Sequence, residues 1–247
     1  MKKLLQTSDH ILIGGHRGCE CELPENSIAA MERGIHDGAD YLEIDVQLTK
    51  DGIPVIYHDV RLEDKTSLVG YVHEHTEQEL RAAVPGLCTL REAMQWGKKA
   101  DAWFGLELKG VPLDTQSYNL RLVELLSEIV REEGMTEHVF AFGLDYQVLR
   151  HLREIDPEIP IGLIIADVPQ DPVALMKEMD ACIYLAYIWQ MTPKIIHDLH
   201  EAGFYVDGAI LRDKKWQVRA RELGVDMFET DFPIEDAKTV TPRAPKR

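Results

Sequence analysis

The chain has 247 residues, 45% of them hydrophobic and 28% charged, enough apolar material for one sizeable core and a typical length for a single α/β barrel domain. Acidic residues outnumber basic ones 43 to 27, a formal net charge of −16. That balance disfavours nucleic acid and anionic membrane as partners, since both are polyanions. The opening MKKLLQTSDH holds too short an apolar stretch for a signal peptide, and no segment approaches the roughly 20 apolar residues of a membrane span, so stable membrane insertion is not expected. The four cysteines (Cys19, Cys21, Cys88, Cys182) show no framework of spacings and read as reduced thiols of a cytoplasmic protein.

In chain order, short runs rich in Val, Ile, Leu and aromatic residues predict strands near 11–15, 41–47, 103–109, 138–142, 161–166, 182–187, 204–209 and 226–230. Helical patterns fall between them at 26–36, 89–99, 116–133, 145–154, 172–179, 193–201 and 213–222, with start signals at Asn26, Pro172 and Pro193. Alternation of this kind implies parallel pairing, and eight strands close a (β/α)₈ barrel. One segment breaks the pattern. After YLEIDVQLT, Asp51-Gly52 leads directly into IPVIYHD with no helix between. Asp-Gly between apolar runs predicts a β-hairpin extension after the second strand, because both turn positions favour φ > 0. A two-residue loop sets Lys50 opposite Ile53 and Asp45 opposite His58, on one face. The chain reads as one domain over 1–247, with TPRAPKR as a frayed tail and the oligomeric state left open.

Glu43 and Asp45 stand two apart on a strand and share a face. Two carboxylates turned into a barrel lumen need compensation, which a divalent cation supplies; the bland alternative is a half-exposed strand. Glu107 and Lys109 repeat the spacing at the end of the third barrel strand. There Glu107 could add an oxygen ligand and Lys109 a charge for phosphate, or the two could form an internal ion pair. His16-Arg17-Gly18 ends the first strand at the same mouth, where barrel active sites gather. Arg17 offers a fork suited to phosphate, and His16 with His58 suits acid and base work near neutral pH. Cys19-x-Cys21 is a weak metal signal. His73 and His75 read as solvated, His197 and His200 as lying on an outer helix face, and Met176 and Met179 as core filler.

HRG, PEN at 24–26, LEIDVQLTKDG, the returning YHD and the later LELK together resemble the glycerophosphodiester phosphodiesterase family, most closely over residues 13–59, and GVDMFETDFP near the end is also similar. The resemblance implies a barrel related to phosphatidylinositol-specific phospholipase C that uses one divalent cation, Mg²⁺ or Ca²⁺. It implies cleavage of a small-molecule glycerophosphodiester to glycerol 3-phosphate and an alcohol. Carried onto matching positions, it makes Glu43, Asp45 and Glu107 metal ligands, His16 and His58 the acid–base pair, and Arg17 and Lys109 phosphate contacts. Related enzymes on the same barrel act on lysophospholipids or sphingolipids, a reading that calls for an exposed apolar lip which an acidic composition does not advertise. A silent, ligand-binding barrel is the alternative from another class. The sequence departs from the family where a Trp-Thr-Val-Asn-like element is replaced by Ala209-Ile210-Leu211-Arg212, so Arg212 is expected to bind an additional anionic group on the substrate or else to pair with Asp213.

Overall fold

The computed structural model describes residues 2–19, 23–110 and 116–233. Eight parallel strands form a closed ring: β1 (Leu12–Gly15), β2 (Tyr41–Leu48), β4 (Phe104–Leu108), β5 (Val139–Gly143), β6 (Ile161–Ile165), β7 (Ile183–Tyr187), β8 (Tyr205–Ala209) and β9 (Met227–Thr230). Pairing runs β1-β9-β8-β7-β6-β5-β4-β2, and β1 pairs with β2 to close it. The expected barrel with a hairpin after its second strand is what forms. Around it lie α2 (Ile28–His36), α4 (Leu90–Ala100), α5 (Gln116–Glu132), α6 (Tyr146–Ile155), α7 (Pro172–Glu178), α8 (Pro193–Glu201) and α9 (Lys214–Leu223). Six of them follow the capping rule, with the side chains of Ser27, Thr89, Asp145, Asp171, Thr192 and Asp213 accepting first-turn N–H bonds. The cap of α2 is therefore Ser27, not Asn26, which sits at φ +59 and is used elsewhere. The 234–247 tail and Cys21 lie outside the described residues.

Two short helices have too few periodic residues to be read from sequence. One is α1 (Lys2–Thr7), whose buried Leu5 joins Leu12, Tyr41 and Met227 in the lumen; the other is α3 (Glu77–Ala83), beside the hairpin. The lumen is a packed core in which the Tyr41 ring lies against Gly14, where a Cβ would come within 2.4 Å of the ring. Tyr41 Oη reaches across to donate to Asp207 Oδ2 at 3.1 Å.

The hairpin corrects one expectation. β3 (Pro54–Ile56) pairs antiparallel with β2, but in the register Val46–Ile56 and Gln47–Val55. Thr49 N–H donates to the Ile53 carbonyl at 3.1 Å, so the loop is the three residues 50–52, and only Gly52 takes a positive φ, +79. Asp45 therefore faces Tyr57, whose N–H it accepts at 2.9 Å, and not His58. A one-residue slip reverses every facing along an arm. His58 nonetheless comes close to Asp45, because the chain leaves the ladder after Ile56.

Outside the barrel, Asp156 is buried where α6 ends. It accepts hydrogen bonds from Ser127 Oγ (2.7 Å), Arg131 Nε (2.7 Å) and Arg131 Nη2 (2.8 Å). Burial raises its pKa, but these bonds and the Arg131 charge outweigh it and hold the group below the ordinary carboxylate value. The stabilisation is thus complete at neutral pH and lost as pH falls through the depressed folded pKa. Arg131→Ala, which leaves the buried carboxylate with only its Ser127 and backbone partners, is expected to lower stability more at pH 7 than at pH 3. Urea unfolding at pH 7 and at pH 3 checks this; an equal cost at both would refute it.

Candidate active site

The C-terminal ends of β1, β2, β4 and β9 gather the charged residues singled out from the sequence. Along β2, residues 41, 43 and 45 face the lumen, so Glu43 and Asp45 stand above Tyr41, both buried. The parallel register sets Asp45 beside Glu107. Ligand oxygens of Glu43, Asp45 and Glu107 lie within 4.8 Å of one another, a set that could hold a metal ion.

Each buried carboxylate is fixed by one oxygen and left open at the other. Glu43 Oε2 accepts the Arg17 N–H at 2.9 Å, and Asp45 Oδ2 accepts Asn26 Nδ2 at 2.7 Å. Arg17 and Asn26 both adopt left-handed backbone, φ +52 and +59, in the loop after β1, and Asn26 N–H donates to the Arg17 carbonyl. Non-glycine residues held at positive φ store strain; here that conformation presents one N–H and one amide to the two acids. Glu43 Oε1 and Asp45 Oδ1 are buried without a hydrogen-bond partner. Lys109 Nζ partly compensates, 3.2 Å from Asp45 Oδ1 and 2.8 Å from Glu107 Oε1, so the internal ion pair weighed for Glu107 and Lys109 does form. It is not enough. Burial, then the Asp45 and Glu107 charges, pushes the Glu43 pKa well above its usual value, and burial followed by Asp45 lifts Glu107 to about 7. For Asp45, burial also raises, but Lys109 and His58 outweigh it and the net shift is downward. All-oxygen donors with a charge deficit fit a hard divalent cation, Mg²⁺ or Ca²⁺.

Both histidines are oriented by carboxylates. His16 Nδ1 lies 2.5 Å from Asp231 Oδ1 and His58 Nδ1 lies 2.7 Å from Asp59 Oδ1. An ionised carboxylate only accepts, so it places the proton on Nδ1 and leaves Nε2 for exchange. His16 Nε2 is 4.0 Å from Glu43 Oε2. Burial lowers the His58 pKa, against the opposing pull of Asp45, and so favours the neutral ring. Arg212 donates through Nε to Asp231, not to Asp213, which caps α9 instead; its side chain is 60% exposed. A cavity of about 240 Å³ is lined by His16, Arg17, Glu25, Arg212 and Asp231 among others, and a second of about 210 Å³ by Glu25, Asn26, Tyr57, His58 and Lys65 among others. A larger cavity of about 330 Å³, with Gly52 and Arg91 in its wall, contains none of these groups.

Three residues of the site lie inside motifs quoted from the sequence but carry no assigned role there: Asn26 in PEN, where it reads as a helix start, Asp59 in YHD beside His58, and Asp231 in GVDMFETDFP, one residue past β9. The remaining histidines also differ in part from expectation. His73 stacks on Tyr71 at 5.3 Å and meets Tyr118 at 5.0 Å. His75 Nε2 bonds to the Val69 carbonyl, and His200 Nε2 to Asp226 at 2.9 Å. His197 is exposed, and Met176 and Met179 are buried, as expected.

Residues 16–235 match the model of the glycerophosphoryl diester phosphodiesterase family. A glycerophosphodiester phosphodiesterase of Caldanaerobacter subterraneus subsp. tengcongensis is 27% identical over 90% of this chain and 94% of its own. One from Bacillus altitudinis is 29% identical over 92% of this chain and 96% of its own. The structure of an Oleispira antarctica phosphodiesterase in complex with the product sn-glycerol-3-phosphate superposes with a TM-score of 0.82 at 22% identity, covering 93% of this chain and 97% of that one.

Proposed function

From the chain's membership of the glycerophosphoryl diester phosphodiesterase family, we propose that it hydrolyses glycerophosphodiesters to glycerol 3-phosphate and an alcohol, with Glu43, Asp45 and Glu107 holding one Mg²⁺ or Ca²⁺. The observation that carries this is the set of three carboxylates with two buried, unsatisfied oxygens, flanked by two histidines whose Nδ1 atoms are held by acids. The bound product of the Oleispira enzyme supports glycerol 3-phosphate as the product here.

When bound, the cation neutralises charge on the phosphate. The chain supplies the rest. Lys109 and Arg17 border the carboxylates as cations for the phosphate oxygens, Lys109 as a point charge and Arg17 as a fork that Glu25 steadies through Nη1 at 3.0 Å. One imidazole Nε2 takes a proton from the attacking water as its oxygen bonds to phosphorus, and the other gives a proton to the oxygen of the departing alcohol as its bond to phosphorus breaks. Arg212, at the cavity rim, faces any further anionic group on the substrate.

The test is turnover of several glycerophosphodiesters by chelated protein and after addition of Mg²⁺, Ca²⁺ or Mn²⁺. Activity is expected only with metal. Full activity after chelation would end the metal reading, and no turnover of any glycerophosphodiester would end the substrate reading.

A further inference from the structure

His58 and Arg17 stand on different elements, yet one ammonium group ties them together. Lys65 follows a short 3₁₀ turn at Leu62–Asp64, in the segment that leaves β3. Leu62 is buried in a satellite core with Val55, Tyr57 and Val72, and its carbonyl accepts the N–H groups of Lys65 at 3.3 Å and Thr66 at 2.9 Å. From that anchor Lys65 Nζ reaches Glu25 Oε1 at 2.6 Å and Asp59 Oδ2 at 3.3 Å. The second contact is an ion pair without the alignment of a hydrogen bond. Each acid gives its other oxygen to the site. Glu25 Oε2 accepts Arg17 Nη1 at 3.0 Å, and Asp59 Oδ1 holds His58 Nδ1 at 2.7 Å. The order Arg17–Glu25–Lys65–Asp59–His58 alternates in charge from the phosphate fork to an acid–base histidine.

The spacing at its centre is that of a cation site. Ligand atoms of Glu25, His58 and Asp59 lie within 4.8 Å of one another, and the Lys65 ammonium supplies the positive charge. Burial raises the pKa of both acids. At Glu25 the Lys65 bond and the Arg17 charge outweigh it, at Asp59 the His58 bond and the Lys65 charge, and both groups stay below their ordinary values. Two carboxylates this close repel, and with no cation between them one turns away or takes up a proton. The backbone cannot absorb that change, because the buried Gln47 of β2 donates through Nε2 to the carbonyls of Tyr57 at 2.7 Å and Asp59 at 3.1 Å. The Asp59 side chain moves instead, and with it the acceptor that keeps the His58 proton on Nδ1. Lys65 is half-exposed, so its ion pairs add little to stability. Their effect lies in where Asp59 and Glu25 point.

Resting on the phosphodiesterase reading, we propose that Lys65 is a positioning residue of the reaction, its ammonium holding Asp59 and Glu25 in place and through them setting the His58 imidazole and the Arg17 guanidinium. It acts through those acids and not on the substrate, so its loss is read in kcat on every substrate alike.

The experiment compares Lys65→Met and Lys65→Arg in the Mg²⁺-loaded full chain, on several glycerophosphodiesters. Lys65→Met is expected to lower kcat by about 10²-fold, the scale of a slightly misplaced catalytic group, with Tm unchanged, and Lys65→Arg to recover most of the loss. In an Asp59→Asn background Lys65→Met should cost little more, because both changes act on His58. Nitrogen NMR spectra of the imidazole rings, with the His58 signals assigned by their loss in His58→Ala, read the same contact without turnover. Wild type should hold the His58 proton on Nδ1, and Lys65→Met should lose that preference. If no glycerophosphodiester is turned over, the phosphodiesterase reading falls while these spectra still decide the role of Lys65. An unchanged His58 spectrum, a loss additive with Asp59→Asn, an equal loss in Lys65→Arg, a loss that tracks Tm, or a rise in KM confined to one headgroup would overturn the proposal.

Discussion

Asp231→Asn is expected to lower kcat by about 10²–10⁴-fold with little change in KM, because an amide can donate to His16 Nδ1 and so favour the wrong tautomer. Asp231 is buried and bonded to His16 at 2.5 Å, while Arg212 holds its other oxygen. His16→Ala should lose a similar factor, and the double variant little more than either, since the two residues act as one unit. Fully additive losses would show that Asp231 acts independently of His16. His58→Ala should match His16→Ala on a substrate with a poor leaving group. With a p-nitrophenyl phosphodiester, only the variant lacking the general acid should recover, which assigns acid and base. Arg212→Ala separates two contributions. A fall in kcat common to all substrates reads its hold on Asp231, and a rise in KM confined to anionic headgroups reads direct contact.

Glu43→Gln is expected to remove metal-dependent turnover, by more than the 10–100-fold typical of losing an outer-shell partner of a metal. Its effect on stability has the opposite sign. In metal-free protein Glu43 is a fully buried acid whose charged form is opposed by burial and by Asp45 and Glu107. Replacing it with a neutral isostere should therefore stabilise the chelated protein, and increasingly so as the pH rises above the ordinary glutamate value. Cation at a hundredfold excess over its Kd should stabilise wild type by about 2.7 kcal/mol and the variant far less. Thermal unfolding of both proteins with chelator and with Mg²⁺ gives the four values. A variant that is less stable than wild type in chelator, or that gains as much from Mg²⁺, would refute the assignment.

The architecture was legible in the sequence because it is written in local periodicity. Eight apolar runs separated by amphipathic stretches require parallel strands with helices outside, and α8 begins and ends where its Pro193 and its pattern said it would. The i, i+2 spacing placed Glu43 with Asp45, since alternation along a strand is a property of the backbone alone. Long-range closure was not legible. The pairing of His16 with Asp231 joins residues 215 apart in the chain, and only the meeting of β1 with β9 creates it. Asn26 looked like a helix cap because its amide partner, Asp45, lies on another element. The hairpin register turned on whether Lys50 belonged to the ladder or the loop, and the Thr49–Ile53 bond places it in the loop.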